Sequence, residues 1–210
     1  MARYIEAYCR LCRRTGVKLM LKGERCFSEK CAVERRNTPP GPHASGKRRR
    51  KVSDRGLQLM EKQKAKYSYG TFERQFRRFF GEASRMTGIT GANLLILLER
   101  RLDNVVFRLG FADSRSQARQ IVRHGHIKVN GQKTNVPSFL VKAEDSIEWR
   151  KESTKNEYYK TLVEKIEDKN IPAWLSLDKG NMVGKVVSLP AADEIRNNFD
   201  EKAIVEWYSR

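Results

Sequence analysis

Four cysteines and a column of three arginines are the side chains in this sequence with the most chemistry to offer. All four cysteines lie within the first 31 residues, as Cys9-x2-Cys12 and, after thirteen residues, Cys26-x4-Cys31. Two close pairs joined by a loop allow four thiolates to converge tetrahedrally on one ion, and the Arg and Lys residues around them favour the thiolate form. Zinc is the expected metal. An iron–sulfur cluster on the same four cysteines is the alternative, and two disulfides or four unrelated thiols form the metal-free reading. A four-thiolate site leaves no open coordination position, so its role would be structural. The segment is too short to bury a core, and bound metal would supply its folding energy.

The second feature is Arg115, Arg119 and Arg123, spaced four apart in the stretch DSRSQARQIVRHGHIKVNGQKTNV that begins at Asp113. Side chains at this spacing stack on one helix flank. A planar guanidinium grips phosphate through two hydrogen bonds at once, so a repeated column suits a nucleic-acid backbone. The alternative is a solvated helix flank. Ser114 followed by Gln117 predicts the helix start, Ala118, Ile121 and Val122 its buried stripe, and Gly125 its end. Ile127 and Val129 then alternate with Lys128 and Asn130, and Asn130-Gly131 predicts a tight hairpin turn.

Around these features the sequence predicts helices over about 53–66, 72–86 and 94–109. In the second, Phe72, Phe76, Phe79 and Phe80 share a sector of about 100°, with Arg74, Arg77, Arg78 and Arg85 opposite. Helical spacing explains the aromatics as core and leaves the arginines outward. Residues 94–109 carry Leu94, Leu98, Leu102, Val105 and Leu109 at core spacing. A β-rich segment to about 150 has Phe139, Val141, Ile147 and Trp149 as core candidates. Charged residues 151–169 and the stretch 193–208 read as helices. Residues 37–51, NTPPGPHASGKRRRK, read as an extended segment ending in the basic run Lys47, Arg48, Arg49, Arg50 and Lys51: a linker, a localisation signal or, preferred beside a basic module, an arm laid along a nucleic-acid backbone.

Charge narrows the class of function. The 210 residues carry a formal net charge of +18. Residues 1–51 hold 15 basic against 4 acidic side chains, whereas residues 151–210 hold 10 against 11. Such an excess would repel itself without a polyanion nearby, and the first half is the expected contact. No nucleophile elbow, Walker loop, dinucleotide fingerprint or HExxH is present, and His43, His124 and His126 have no nucleophile at a recognisable spacing. No catalytic residue is therefore assigned, and binding is expected rather than catalysis. No apolar run approaches a membrane span, and MARYIEAYCR lacks a signal core, so no membrane association and an intracellular location are expected.

The segment RLDNVVFRLGFADSRSQARQIVRHGHIKVNG resembles the RNA-binding module of the bacterial small-subunit ribosomal protein four family. SDRGLQLMEKQKAKYSYGTFERQFRRFF resembles that family's helical domain, and IPAWLSLD and IVEWYSR its closing segments. The cysteine spacing is similar to that of the family's metal-binding branch. The resemblance implies a structural, non-catalytic protein of the cytoplasmic ribosome that binds small-subunit rRNA directly and nucleates assembly of the 30S body. It further implies contact with ribosomal protein five, an influence on decoding accuracy, and a place near the mRNA entry channel. The implied fold is α+β with two lobes. A metal-binding extension occupies 1–45, a helical rRNA-binding domain 46–93 is completed by 175–210, and a small α/β module spans 94–174. Implied RNA contacts are Arg115, Arg119, Arg123, Lys128, Asn130 and Lys133 in the module. In the helical domain they are Lys47–Lys51, Lys62, Lys64, Tyr69, Arg74, Arg77 and Arg78. Arg55 and Met60 depart from the family pattern, which usually has Tyr and often Arg there.

Overall fold

A computed structural model of the chain describes residues 4, 6–36, 38–41, 52–166, 169–195 and 197–209. Its backbone divides into two compact units, Met1–Ala92 with Asn197–Arg210, and Asn93–Arg196.

The first unit is helical. Helix α1 (Cys9–Thr15) ends at Gly16, whose φ of 70° gives the left-handed turn that a glycine supplies without strain. A short 3-10 turn, Gly23–Cys26, and helix α2 (Ala32–Arg35) follow. Leu11, Cys12, Leu19 and Leu21 form a small core there, with Tyr4, Tyr8, Val33 and Tyr67 packed against it. The cysteine segment thus shares a core residue, Tyr67, with the next helix and does not stand as a separate extension.

Helix α3 (Asp54–Ser68) starts where expected, because the Ser53 hydroxyl accepts the Gly56 N–H at 3.2 Å. Helix α4 (Glu73–Ala83) buries Phe76, Phe79 and Ala83 on one face and leaves Arg74, Arg77 and Arg78 exposed on the other, as the periodicity predicts. It is shorter than the expected 72–86, and Phe72, its N-cap, and Phe80 are only half-buried. Helix α9 (Glu201–Tyr208) packs along α3 and buries Ile204.

The division between the units falls within helix α5 (Thr90–Glu99). The single helix expected over 94–109 is instead two, α5 and α6 (Leu102–Arg108). Arg101 takes extended backbone and bridges Leu140, while the carbonyls of Phe139 and Pro137 accept the first N–H groups of α6 at 2.8 and 3.1 Å. A partner some forty residues away therefore ends α5.

The second unit continues with helix α7 (Arg115–Arg123), capped by Ser114, and the hairpin of β1 (Ile127–Val129) and β2 (Gln132–Lys133). Strand β3 (Ser146–Trp149), helix α8 (Glu157–Lys165), β4 (Leu175–Asp178) and β5 (Val183–Val186) complete it. The sheet is antiparallel in the order β2-β1-β3-β5-β4. Ile147 lies opposite both Val129 and Gly184. One core gathers Leu102, Val105, Val106, Leu109, Phe111, Ala118, Val122, Ile127, Val141 and Ile147 with Trp149, Trp174 and Val186.

Three expectations need correction. The resemblance places 175–210 in the helical lobe, yet β5 pairs with β3 in the sheet of the second unit, and only Asn197–Arg210 belong to the first. Phe139 is 37% exposed and lies outside the core. The helices expected over 151–169 and 193–208 are shorter: Lys151–Ser153 and Ala192–Glu194 are 3-10 turns, and the α-helices begin at the side-chain caps Asn156 and Asp200.

Candidate nucleic-acid interface and cysteine cluster

The arginine column does not act as one surface. Arg115 donates from Nε to Asn104 Oδ1 at 2.7 Å, its guanidinium lies 4.8 Å from the Phe107 ring centre, and Nη2 stands 3.8 Å from Glu99. Arg119 approaches Asp103 at 3.7 Å. The two side chains are only 17% and 12% exposed. Arg123, one turn later, is exposed.

The two carboxylates are themselves buried and shared. Glu99 accepts both Nε and Nη2 of Arg108, at 2.9 and 2.7 Å, and Asn104 Nδ2 at 2.7 Å. Asp103 takes Nε and Nη2 of Arg101, whose side chain is fully buried, at 3.1 and 2.8 Å. Two-point guanidinium–carboxylate pairs of this kind hold geometry strongly and are costly to break from one side. Sequence spacing did not point to Glu99 and Asp103, because a helix break separates Glu99 from Arg108.

The hairpin presents a different arrangement. Lys128 lies directly opposite Lys133, which places two ammonium groups on one face, with Glu148 on the other side of Lys128. The Lys133 stem crosses Gly125, where an added Cβ would stand 2.5 Å from Lys133 Cε. Arg150 reaches the Gly125 carbonyl at 3.5 Å. Asn130, expected to touch RNA, is used inside the fold. With φ at 51°, it donates to Asp145 at 2.8 Å and accepts the Ser146 N–H at 2.8 Å, tying the turn to β3. Nearby, His126 shares a 2.9 Å hydrogen bond with Ser153 and stacks on Trp149. Burial, then His124 and Arg150, hold its imidazole below the ordinary range.

In the first unit three more expected contacts have internal partners. Lys62 is 4% exposed, donates to Glu73 at 2.7 Å, and lies over the rings of Trp207 and Tyr208. Lys64 pairs with Glu61 at 2.6 Å, and Tyr69 is 4% exposed. Glu73 also accepts from Lys66 at 3.0 Å and from the Tyr208 hydroxyl at 2.9 Å. Burial pushes the Glu73 carboxyl up, but the hydrogen bonds from Lys62, Lys66 and Tyr208 outweigh it and hold it at about 2. For Tyr208, burial and then Glu73 push the phenol above its ordinary range. Arg55 stacks over Trp207 at 5.4 Å, so this departure from the family pattern has a place in the packing. Arg74, Arg77 and Arg78 remain on the outer face of α4, Arg78 beside Glu82 at 3.3 Å. Arg85 follows them, also exposed. The expected contacts Lys47, Arg48, Arg49, Arg50 and Lys51 lie outside the described residues.

Cys9, Cys12, Cys26 and Cys31 are free thiols, all buried except the half-buried Cys9. Lys22 donates its backbone N–H to Cys26 Sγ at 3.3 Å. Burial pushes the Cys12 thiol up. The Leu19 backbone opposes this, and Cys26, Cys9 and Cys31 add to the rise. Cys12 therefore lies near the other three thiols. Among the described residues, no group of three or more His, Cys, Asp or Glu side chains has the geometry to hold a metal ion. No helix among them is long and apolar enough to cross a membrane.

Comparison with known proteins identifies the family. A family model described as the ribosomal protein S4/S9 N-terminal domain matches residues 3–99, and the S4 domain model matches residues 100–147. The chain is 57% identical to small ribosomal subunit protein uS4 of Dehalococcoides mccartyi over 210 residues, the whole of both chains. It is 54% identical to the protein of that name from Pelotomaculum thermopropionicum and 52% identical to that from Geotalea daltonii, again over the full length of both. Two abutting domain matches and identity above half along the whole chain leave one assignment: the chain belongs to the small ribosomal subunit protein uS4 family.

Proposed function

We propose that this chain, a structural and non-catalytic protein of the small ribosomal subunit in the cytoplasm, grips rRNA through two outward sets of cations. Arg74, Arg77 and Arg78 form the first set, and Arg123, Lys128 and Lys133 the second. The observation that carries the reading is the sorting of basic side chains: Arg74, Arg77, Arg78, Arg123 and Lys133 are exposed and Lys128 is half-buried on the hairpin beside Lys133, while Lys62, Lys64, Arg115 and Arg119 are drawn inward to carboxylates. A folded RNA is read largely through phosphate positions and shape, which suits cations fixed on helices and a short hairpin. The Lys128–Lys133 rung supports the reading further, because like charges directly opposite repel and a phosphate between them would relieve the repulsion. The basic run Lys47–Lys51 fits the same role through its charge alone.

Primary binding, nucleation of 30S assembly, contact with ribosomal protein five, a place near the mRNA entry channel and an influence on decoding accuracy extend the proposal. Their support is the family likeness. A filter-binding competition tests the reading: small-subunit rRNA should be preferred over transfer RNA and duplex DNA, and preference for either competitor would overturn it.

For the cysteines we propose one structural zinc, with an iron–sulfur cluster as the alternative occupant. Cys9, Cys12, Cys26 and Cys31 would hold it. Support comes from four soft donors in one short segment, three of them buried, and from the N–H groups aimed at Cys12 and Cys26, a feature that stabilises thiolates. When bound, the metal supplies folding energy to a segment whose apolar cluster, Leu11, Cys12, Leu19 and Leu21, is small. Metal analysis of purified protein should find about one zinc per chain, or the iron of one cluster. A metal-free chain with a stably folded first forty residues would exclude both.

A further inference from the structure

The cysteine segment contains one aromatic side chain that its own packing does not use. Tyr4 and Tyr8 pack against the small core of Leu11, Cys12, Leu19 and Leu21. Phe27 instead stands 75% exposed. Chain slack does not explain this position. Phe27 N–H donates to the Glu24 carbonyl at 3.0 Å, Ser28 Oγ to the Arg25 carbonyl at 3.1 Å, and Cys31 N–H to the Ser28 carbonyl at 3.0 Å. Successive hydrogen-bonded turns thus fix the backbone between the buried Cys26 and Cys31. Cys26 is held in turn by the Lys22 N–H. The ring is presented to solvent from a rigid knuckle.

Its surroundings indicate the kind of partner. Lys22, Arg25 and Lys30 are exposed within five residues of Phe27, and they outnumber the exposed carboxylates in the same stretch, Glu24 and Glu29. Residues 4–36 carry nine basic and four acidic side chains. A flat apolar ring flanked by cations is the pairing that binds unpaired nucleotides: the ring offers a face to a base and the cations meet the phosphates on either side. An apolar pocket on a protein would use the ring but gain little from the three cations. Ile89 shows the contrast in the same unit. It is 77% exposed as well, yet it lies in a glycine-punctuated loop and has no flat face for a base.

We infer that the cysteine knuckle is a further RNA-binding site, in which Phe27 stacks on one unpaired base while Lys22, Arg25 and Lys30 hold the adjoining phosphates. This rests on the rRNA reading above and adds a contact region that neither the arginine set of α4 nor the hairpin provides.

The test uses the full chain and a small-subunit rRNA transcript as probe, comparing Phe27→Ala, Phe27→Leu and Phe27→Trp. Phe27 is exposed, so all three should unfold at the same midpoint as the unsubstituted chain. Phe27→Ala and Phe27→Leu should each weaken binding at least about fivefold, the lower end of what one stacked base contributes, and Phe27→Trp should keep it. Ultraviolet cross-linking of the unsubstituted chain should join Phe27 to a nucleotide that is unpaired in the transcript. Unchanged affinity in Phe27→Ala would overturn the stacking. So would full affinity for the transcript combined with poor uptake of Phe27→Ala into reconstituted subunits, which would point to a protein partner. If the unsubstituted chain failed to bind the transcript at all, the rRNA reading itself would fall.

Discussion

Helices α4 and α7 each carry arginines at helical spacing, and the two helices use them in opposite ways. On α4, Arg74, Arg77 and Arg78 face solvent because the opposite face is filled by Phe76, Phe79 and Ala83. On α7, Arg115 and Arg119 lie on the flank of an equally clean apolar stripe, yet Glu99 and Asp103 capture them. What decides is the neighbouring element. Where a carboxylate stands within reach and is itself buried, desolvation makes the pair hold; where none does, the guanidinium stays available to an outside anion. The same residue type at the same period is thus an anchor in one place and a contact in the other.

The sharpest break of this contrast is at the anchor. Asp103→Ala takes the two-point partner from a fully buried Arg101 and should cost about 3–5 kcal/mol in urea unfolding, whereas Arg77→Ala should stay within about 0.5 kcal/mol of the unsubstituted chain. A loss below about 1 kcal/mol at Asp103 would erase the distinction between anchored and free cations.

Next in size is the salt dependence of RNA binding. The triple change of Arg74, Arg77 and Arg78 to Ala should lower the slope of log K against log salt by roughly two to three, with the unfolding midpoint unchanged. Arg115→Ala with Arg119→Ala should lower the midpoint and change the slope by less than about one. Equal slope changes would show that both helices meet phosphate alike.

Gly125→Ala tests the hairpin side. Its φ of +71° and the nearby Lys133 stem both oppose a Cβ, and the change should cost about 1–2 kcal/mol while displacing that lysine. Gly131→Ala, at φ +77° with nothing within 4 Å, should cost less, because only the backbone is strained. Thermal melts of the two variants compare them directly.

The last test is a pH dependence. Glu73 falls from an ordinary value of 4.5 to about 2 on folding. The unfolded chain therefore binds more protons between those values. The stability Glu73 contributes is complete above about pH 4.5 and fades as pH falls toward 2. Acid melts of Glu73→Gln should differ from the unsubstituted chain most at neutral pH and converge near pH 2. A constant gap would show that Glu73 acts through packing alone.

Much of this was legible in the residues. Ser53 and Ser114 announced their helices through caps that need only local chain, and Asn130-Gly131 marked the hairpin because few residues accept its backbone angles. What stayed hidden depended on distant partners. The break at Arg101 comes from Leu140, and the place of 175–186 in the sheet comes from β3. The capture of Arg115 and Arg119 comes from acids on other helices, and that of Lys62 from Glu73 and two aromatic rings, so an exposed cation and a buried one looked alike in sequence.

The first unit is assembled from two stretches with residues 93–196 between them. Synthesis runs in one direction, so α3 and α4 emerge well before α9, the helix that covers α3, and before Tyr208, which closes on Glu73. The second unit has all of its strands once Val186 has been made. During translation, then, the later unit can finish folding while the earlier one still waits with an uncovered helix face. A chain cut short before residue 197 would carry the arginines of α4 on a support that lacks α9 and the Tyr208 hydrogen bond to Glu73.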